Sequence, residues 1–381
     1  MFIIRNAEVY APEYLGKKDV LICNSKIEKI ADKLPQMPEL CTEIDGSGMI
    51  LTPGLIDNHV HVTGGGGEGS FFTRTPELQL SELLLAGITT VAGLIGTDGL
   101  TRSVENLYAK TRALNEEGVS AYMLTGSYGY PGPTITGKAD KDIVFIRDVL
   151  GMKLAISDHR APNVSLDELI RIASDVRVAG MIGGKAGILV LHMGDAESGL
   201  QPIFDAVERT AIPLKVFRPT HVNRNPRLLE EGYQLLEKGG YIDLTCGMEN
   251  QAKPGDCVVE AKKRGLPLEH ITFSSDGHGS WSNYAPDGSL LEIGVSGVDS
   301  VYRELQRMVQ ELGMDLSDAL SYLTTNPAKA LSLYPQKGCI REGSDADILL
   351  LRQDMTLDTV IAKGVTMMES GKLERRGTYE K

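Results

Sequence analysis

Residues 51–72 of the chain read LTPGLIDNHVHVTGGGGEGSFF. This stretch begins as a buried strand should and then places two histidines, His59 and His61, two positions apart. Residues i and i+2 of a strand share a face, so both imidazoles can bind one metal ion from a single strand end. Four glycines and a lone acid, Glu68, follow. This order predicts a metal-binding strand end beside a loop whose backbone can approach a ligand closely.

The composition of the 381-residue chain is typical of a globular protein, with 42% hydrophobic and 24% charged residues. The net charge is -12, and an acidic chain without a basic run is a poor binder of nucleic acid. There is no apolar run long enough for a membrane helix, and the first residues lack the pattern of a signal peptide. The five scattered cysteines predict free thiols in a reducing compartment. We therefore expect a small-molecule partner, with neither nucleic acid nor membrane involved.

The middle of the chain, residues 51–334, alternates short apolar runs with helix-like stretches. Eight such runs predict an α/β fold built on a closed (β/α)8 TIM-like barrel. Residues 1–50 and 335–381 show short strand patterns instead, and neither end has enough strands for a stable sheet. We therefore expect both ends to pair into one small β-sandwich domain, with the barrel inserted between them.

Polar residues occur towards the carboxyl end of each predicted barrel strand, and in a barrel these ends meet at the mouth where active sites lie. The candidates are His59, His61, Thr97, Asp98, Tyr128, Lys153, His192, His221 and Asp276. Four imidazoles and a carboxylate suit zinc or a similar divalent ion. A lone histidine at a strand end is usually structural, but the joint pattern is hard to obtain by chance. The remaining histidines fit no ligand position and are expected to be structural or peripheral: His159, His270 and His278.

These residues resemble the amidohydrolase superfamily and, within it, the isoaspartyl (beta-aspartyl) dipeptidase family. The HxH pair, the lysine, the two later histidines and the SSDG that closes the eighth strand are features of the whole superfamily. The GGGGE loop at residues 64–68, together with SDHR at 157–160 and HVNR at 221–224, is much more specific. The resemblance extends from the N-terminal β segment to GSDADILLL at residues 343–351.

The resemblance implies two zinc ions per subunit, bridged by a lysine that CO2 has converted into N6-carboxylysine. It places His59, His61 and Asp276 on one zinc, His192 and His221 on the other, and Lys153 between them. Without that modification a lysine cannot bind a metal, because its ammonium has donors and no acceptor. From the residues alone, a snorkelling or ion-paired Lys153 would be the expectation.

The resemblance also implies the catalytic roles. A hydroxide shared by the two metals is the nucleophile, since zinc lowers the pKa of bound water to about 7. Asp276 acts as general base and then as general acid towards the departing amine. Tyr128 donates to the developing oxyanion. Without the resemblance, an ordinary tyrosine at the rim of the barrel would be the expectation for Tyr128.

Charge complementarity suggests how an isoaspartyl dipeptide is bound, because this substrate carries one ammonium and two carboxylates. Glu68 is the candidate for the ammonium, and Arg160 and Arg224 are the candidates for the carboxylates, which arginine binds bidentately. Thr97 and Ser280 are candidates for further hydrogen bonds. Which arginine meets which carboxylate stays open, and surface ion pairs are the plain alternative for these charges.

Two other classes of function also stay open. Another amidohydrolase, such as a dihydroorotase, a dihydropyrimidinase or an N-acyl amino-acid deacylase, shares the six metal positions but does not predict Glu68 together with Arg160 and Arg224. A non-catalytic barrel scaffold predicts degraded ligands, and all six positions are intact. The family resemblance further implies a cytoplasmic homo-oligomer, an octamer.

Overall fold

The structure is a computed structural model that describes residues 1–37, 39, 41–248, 251–285 and 287–381. The chain opens with five strands, which are β1 (Phe2–Tyr10), β2 (Tyr14–Cys23), β3 (Lys26–Ala31), β4 (Thr42–Asp45) and β5 (Ile50–Pro53). It closes with four more strands, which follow eight barrel strands and one hairpin. These four are β16 (Ile348–Leu351), β17 (Leu357–Ala362), β18 (Val365–Glu369) and β19 (Lys372–Leu373).

These nine strands form one sheet, in which the order is β19-β18-β17-β16-β5-β1-β2-β3, with β4 also paired to β1. The two chain ends meet where β5 and β16 run antiparallel, with Leu51 opposite Leu350. Both of these leucines are fully or almost fully buried. Since β5 ends at Pro53, the sheet extends three residues into the range predicted for the barrel. The division of the chain into a β-sandwich domain and a barrel domain stays a prediction.

Eight parallel strands form the barrel. They are β6 (Leu55–Val60), β7 (Ile88–Gly93), β8 (Ser120–Gly126), β9 (Val149–Ile156), β10 (Ile188–Met193), β11 (Phe217–Thr220), β12 (Ile242–Thr245) and β13 (Ile271–Ser274). Strands β6 to β11 are hydrogen-bonded in chain order, and β12 pairs with β13. The ring closes where Val60 bridges Gly277 and the His61 amide donates to the Gly277 carbonyl at 2.8 Å. Each of the eight apolar runs covers all or part of one barrel strand, so the predicted α/β barrel is confirmed.

Helices connect the strands. Those within the described residues are α1 (Leu80–Leu85), α2 (Val104–Glu117), α3 (Ala139–Phe145), α4 (Leu166–Gly183), α5 (Gln201–Arg209), α6 (Pro226–Glu237), α7 (Pro254–Lys263), α8 (Ser300–Gln310), α9 (Leu316–Ser321) and α10 (Thr325–Ala330). The longest, α4, begins with a capping box between Ser165 and Glu168 and ends at the left-handed Gly184, as the sequence signals for helix termini require. No helix in the described part of the chain is long and apolar enough to cross a membrane.

Apolar side chains fill the barrel interior and give the site a rigid floor. Ile56, Leu124 and Val190 project into this cluster from three different strands, and Leu331, just after α10, packs against them. Each such side chain contributes on the order of 2 kcal/mol when fully buried. This apolar cluster thus closes one end of the barrel, against α10.

A hairpin follows the eighth strand and was not predicted from the sequence. Its strands, β14 (Ser280–Tyr284) and β15 (Leu290–Val295), pair antiparallel. The Tyr284 ring packs edge-on against His159 in the loop after β9, with the ring centres 4.7 Å apart. The hairpin thus joins loops that belong to different βα units at the mouth.

Candidate active site

The two histidines of the opening stretch are buried at the end of β6 and face an aspartate from the last barrel strand. The Asp276 Oδ1 atom lies 3.1 Å from His61 Nε2 and 3.4 Å from His59 Nε2. Asp276 follows β13 in a left-handed conformation, with φ of 53°. The closure of the barrel between its first and last strands therefore brings the two histidines together with Asp276, which is more than two hundred positions away in the sequence.

His221, which follows β11, completes a cluster suited to a metal ion. One ligand atom each from His59, His221 and Asp276 lies within 4.8 Å of the others. His221 Nδ1 is 2.7 Å from the Thr245 hydroxyl, which leaves Nε2 available as a ligand. Burial lowers the pKa of His59 and of His221 well below the usual value. Neutral imidazoles and one carboxylate form a donor set that zinc accepts.

Lys153 lies in the body of β9 and is fully buried, so it does not snorkel to solvent. Its Nζ atom is 3.0 Å from His59 Nε2. Within the described residues, Lys153 forms no salt bridge. A buried ammonium without a direct ion-pair partner is costly, and burial lowers the pKa of Lys153 to about 7, although the charges of Asp276 and Asp243 act in the opposite direction. The surroundings thus favour the neutral amine, the form that reacts with CO2.

His192, on β10, is held from both sides of its ring. Its Nδ1 atom lies 2.6 Å from the Tyr128 hydroxyl, and its Nε2 atom lies 2.9 Å from Asp158 Oδ2. Burial raises the pKa of Tyr128 well above the usual value, so the phenol keeps its proton as a hydrogen-bond donor. Burial also acts to raise the pKa of Asp158, but hydrogen bonds from Arg160 and His192 outweigh it and hold that pKa well below its usual range.

Arg160 lies between two carboxylates. Its Nε and Nη2 atoms donate to the two oxygens of Asp158 at 2.9 and 2.8 Å. Its Nη1 atom donates to Glu68 Oε1 at 3.2 Å, and the guanidinium lies 5.5 Å from the centre of the Tyr128 ring. The arginine is therefore fixed in orientation, with one edge committed to Asp158.

Glu68 is the centre of a second group of contacts, beside the histidine cluster. The Ser280 hydroxyl, at the start of β14, lies 2.9 and 3.0 Å from its two oxygens, and the Thr97 hydroxyl lies 3.2 Å away. The structure thus brings Glu68, Thr97, Ser280 and Arg160 into one hydrogen-bonded group, and their role in substrate binding stays a prediction. Asp98, which also follows β7, instead pairs with Arg74 at 2.9 Å.

The glycine loop that carries Glu68 needs its glycines. Gly64 and Gly66 have φ of 77° and 76°. A Cβ at Gly64 would lie 2.3 Å from the Thr75 carbonyl oxygen, closer than any side chain allows. The buried Arg102 holds the loop by donating to the carbonyl oxygens of Gly65 and Thr75, both at 2.9 Å. The sequence does not identify Arg102 as part of this loop, because the residues that it contacts are distant in the chain.

Arg224 lies in a short 3-10 turn, Val222–Arg224, directly after His221. Its Nη1 atom is 3.4 Å from Asp195 Oδ2, a long contact with an exposed carboxylate. Its Nε atom is buried and has no hydrogen-bond partner within the described residues. Arg224 therefore has N–H groups available for a ligand, whereas the corresponding N–H groups of Arg160 already donate to Asp158.

The three other histidines lie away from this cluster. His278 pairs with Glu82 at 3.0 Å, and His270 stacks on Tyr241 with ring centres 4.2 Å apart. His159 packs against the hairpin, as described above. None of the three belongs to the group of possible metal ligands found in the described part of the chain.

Known proteins resemble this chain over nearly its whole length. The crystal structure of beta-aspartyl dipeptidase from Fervidobacterium islandicum AW-1, in complex with beta-Asp-Leu dipeptide, is 42% identical, with 98% of this chain and 97% of that chain covered and a TM-score of 0.94. A dihydroorotase from Listeria monocytogenes serovar 1/2a is 32% identical over 96% of this chain and 93% of that protein. Dihydropyrimidinase from Brevibacillus agri, at 16% identity and a TM-score of 0.70, shares the fold.

A family model described as the amidohydrolase family matches residues 250–367, which span the end of the barrel and part of the terminal strands. The dipeptidase structure extends the similarity to both chain ends at an identity that shows a family relationship. The chain therefore belongs to the amidohydrolase superfamily and, within it, to the beta-aspartyl (isoaspartyl) dipeptidase family.

Proposed function

We propose that the protein is a dinuclear-zinc hydrolase that cleaves the isopeptide bond of beta-aspartyl dipeptides. The observation that carries this proposal is the group formed by Glu68, Arg160, Thr97 and Ser280 directly beside the histidine cluster. A carboxylate and an arginine held at the edge of a possible metal site suit a small zwitterionic amide.

In this proposal, His59, His61 and Asp276 hold one zinc, His192 and His221 hold the other, and carboxylated Lys153 bridges them. The support is the convergence of neutral, buried imidazoles on Asp276 and the absence of an ion-pair partner for Lys153 among the described residues. Carboxylation forms a bond between Nζ and the carbon of CO2, releases one proton and leaves an anionic oxygen ligand. When bound, the two ions supply Lewis acidity and lower the pKa of water held between them to about 7.

The chain's own residues supply proton transfer and charge stabilisation. Asp276 accepts a proton from the attacking water and passes it to the departing amine. Tyr128 keeps its proton because burial raises its pKa, and it donates to the oxyanion that develops on the scissile carbonyl. One donor of this kind is worth roughly 10²–10³ in rate.

The contacts of Arg160 and Arg224 suggest how each arginine binds a carboxylate of the substrate. Arg160 has committed its Nε and Nη2 edge to Asp158, so it presents a single nitrogen, Nη1, to a ligand. Arg224 has an unpartnered Nε within the described residues and presents a free edge. We assign bidentate carboxylate binding to Arg224, a single contact to Arg160, and the substrate ammonium to Glu68.

A dihydroorotase is the second candidate, because the Listeria relative covers nearly the whole chain. Dihydroorotate carries one carboxylate and no ammonium. Glu68 would then have no substrate ammonium to bind, and its negative charge would repel the substrate carboxylate, which is unfavourable in a site shielded from water. The same argument applies to a deacylase of N-acyl amino acids, whose substrate is also anionic. The uncharged ring opened by a dihydropyrimidinase would leave Glu68 and both arginines without a charged group to bind.

A substrate panel tests the proposal. The purified protein is assayed with beta-Asp-Leu, alpha-Asp-Leu, dihydroorotate and an N-acetyl amino acid, and metal content is measured on the same sample. We expect turnover of beta-Asp-Leu alone, with about two zinc ions per chain. Turnover of dihydroorotate would favour the second candidate, and neither metal nor turnover would leave a scaffold.

We also propose a homo-oligomer, an octamer by family resemblance. Large apolar side chains exposed at the end of α3 and along α4 support a contact between copies: Phe145, Val178, Met181 and Ile182. Light scattering coupled to size exclusion tests the copy number, with about 330 kDa expected from eight chains of 41.3 kDa. A cytoplasmic location, expected from the resemblance, is tested by cell fractionation.

A further inference from the structure

We propose that Asp158 is a positioning residue that couples the metal centre to the substrate pocket, because one carboxylate fixes both the tautomer of His192 and the orientation of Arg160. The inference deepens the proposed function and rests on it in one respect, which is that His192 binds a metal ion. Asp158 touches neither the substrate nor the metal in this account, and it acts through its two partners.

The contacts of Asp158 use both of its oxygens. Oδ1 accepts from the Arg160 backbone amide at 2.7 Å and from Arg160 Nε at 2.9 Å. Oδ2 accepts from Arg160 Nη2 at 2.8 Å and lies 2.9 Å from His192 Nε2. The residue is 4% exposed, so solvent does not compete for these contacts. One buried carboxylate thus holds a guanidinium edge and an imidazole nitrogen together.

The contact with His192 decides which ring nitrogen is free. Two groups lie near Nε2, which are Asp158 Oδ2 at 2.9 Å and Arg160 Nη2 at 3.3 Å. An ionised carboxylate can only accept, so the shorter contact puts the hydrogen on Nε2 and the lone pair on Nδ1, and Nη2 is then a neighbour of Nε2 and not its hydrogen-bond donor. The Tyr128 hydroxyl, 2.6 Å from Nδ1, donates to that lone pair here. A metal ion on His192 would take this lone pair in place of the Tyr128 hydroxyl, so Nδ1 is the metal-binding nitrogen of His192. A carboxylate that orients a ligating histidine in this way typically changes metal affinity 10–100-fold when it is removed.

The contact with Arg160 decides which donor is left for the substrate. Because Nε and Nη2 donate to the two oxygens of Asp158, the guanidinium cannot turn that edge towards the pocket. Nη1 alone faces Glu68 and the pocket beyond it. A change at Asp158 should therefore disturb metal binding and substrate binding together, whereas a change at Arg160 should disturb substrate binding alone.

Asp158→Asn is the direct test, because the amide nitrogen would donate to Nε2 and favour the tautomer that carries its hydrogen on Nδ1. Zinc per chain is measured during dialysis against a chelator, together with KM and kcat for beta-Asp-Leu and the visible spectrum of the cobalt-substituted protein. We expect one of two zinc ions to leave roughly ten or more times faster than from the unaltered protein. We also expect a higher KM and an altered cobalt spectrum.

Two control variants separate the effects. Arg160→Met should raise KM and keep two zinc ions with unaltered release. Arg224 and Asp195 form the other arginine–aspartate pair of the site. Asp195→Asn removes the carboxylate of that pair and should also keep both zinc ions. Asp158→Glu retains an acceptor and should release zinc more slowly than Asp158→Asn.

The tautomer can also be measured without any variant of Asp158. Long-range ¹H–¹⁵N correlation of the imidazoles in the zinc-free protein, with the His192 signal identified by its absence in His192→Gln, should show hydrogen on Nε2. Hydrogen on Nδ1, or unaltered zinc release from a folded Asp158→Asn, would overturn the inference. If the unaltered protein binds no metal, the proposed function fails first; if it binds two ions and Asp158→Asn behaves identically, only this inference fails.

Discussion

Replacing Glu68 by glutamine is the sharpest test of how the substrate is bound. Glutamine keeps the shape and can keep the contacts with Ser280 and Thr97, which need only one acceptor oxygen. Arg160 should not move, because its two bonds to Asp158 remain. The change therefore removes one negative charge and little else.

The size of the effect follows from the surroundings of Glu68. Its side chain is 6% exposed, so a hydrogen bond to an ammonium there is close to the buried limit. Hydrogen bonds to charged groups are worth about 1.5–3 kcal/mol. Since Glu68 must give up Arg160 when it accepts the ammonium, we take about 2 kcal/mol, which corresponds to roughly a 30-fold loss of kcat/KM on beta-Asp-Leu.

The assay uses two substrates so that the lost charge is isolated from general damage. Succinyl-leucine is beta-Asp-Leu without its amino group, and Glu68→Gln should hydrolyse it no more slowly than the unaltered protein does. Zinc content should stay unchanged. Glu77→Gln makes the same change on a carboxylate that pairs with Lys110 at 3.7 Å, and it should leave both activities unaltered. Equal losses on both substrates, or no loss on beta-Asp-Leu, would refute the assignment of the ammonium to Glu68.

Three further predictions concern the metal centre and the arginines. Lys153→Ala should lose zinc and activity, and added acetate should restore part of the zinc by supplying a carboxylate in the space left; full zinc occupancy without acetate would argue against a bridging role. Removing zinc with a chelator should lower Tm by several degrees, since a ligand at 100 times its Kd stabilises by about 2.7 kcal/mol; an unchanged Tm would mean that no ion binds the folded state. Arg224→Met should lose more kcat/KM than Arg160→Met, on the order of 100-fold against 10-fold, because only Arg224 offers a free edge; the reverse order would exchange their roles.

The barrel could be predicted because its strands are apolar runs of ordinary length separated by amphipathic helices. The boundary before it could not, because Gly54 alone separates β5 from β6 and both strands are almost fully buried. The hairpin was missed because its strands are mostly half-buried or exposed and lack the alternation that marks a strand with one buried face.

The site was predicted in part. His59 and His61 stand out because two imidazoles on one face of an apolar strand are rarely needed for packing alone. Lys153 does not stand out in the sequence. Its side chain is fully buried without an ion-pair partner among the described residues, and this depends on neighbours that are distant in the sequence. Asp158 lies inside the SDHR motif, but an acid in a loop usually pairs with a nearby arginine at the surface. Only the tertiary structure shows that its second oxygen reaches His192 on the next strand.

The ratio of kcat/KM for beta-Asp-Leu to that for alpha-Asp-Leu, determined on protein with known zinc content, shows whether the site selects the isoaspartyl linkage. The two peptides have the same composition and charge and differ only in which carboxyl of the aspartate forms the peptide bond. A site that holds the ammonium and the free carboxylate in fixed positions should accept the beta linkage and turn over the alpha linkage at least roughly 1000-fold less efficiently, a difference of about 4 kcal/mol. Comparable turnover of both peptides, or hydrolysis of neither by protein that carries two zinc ions, would contradict the account.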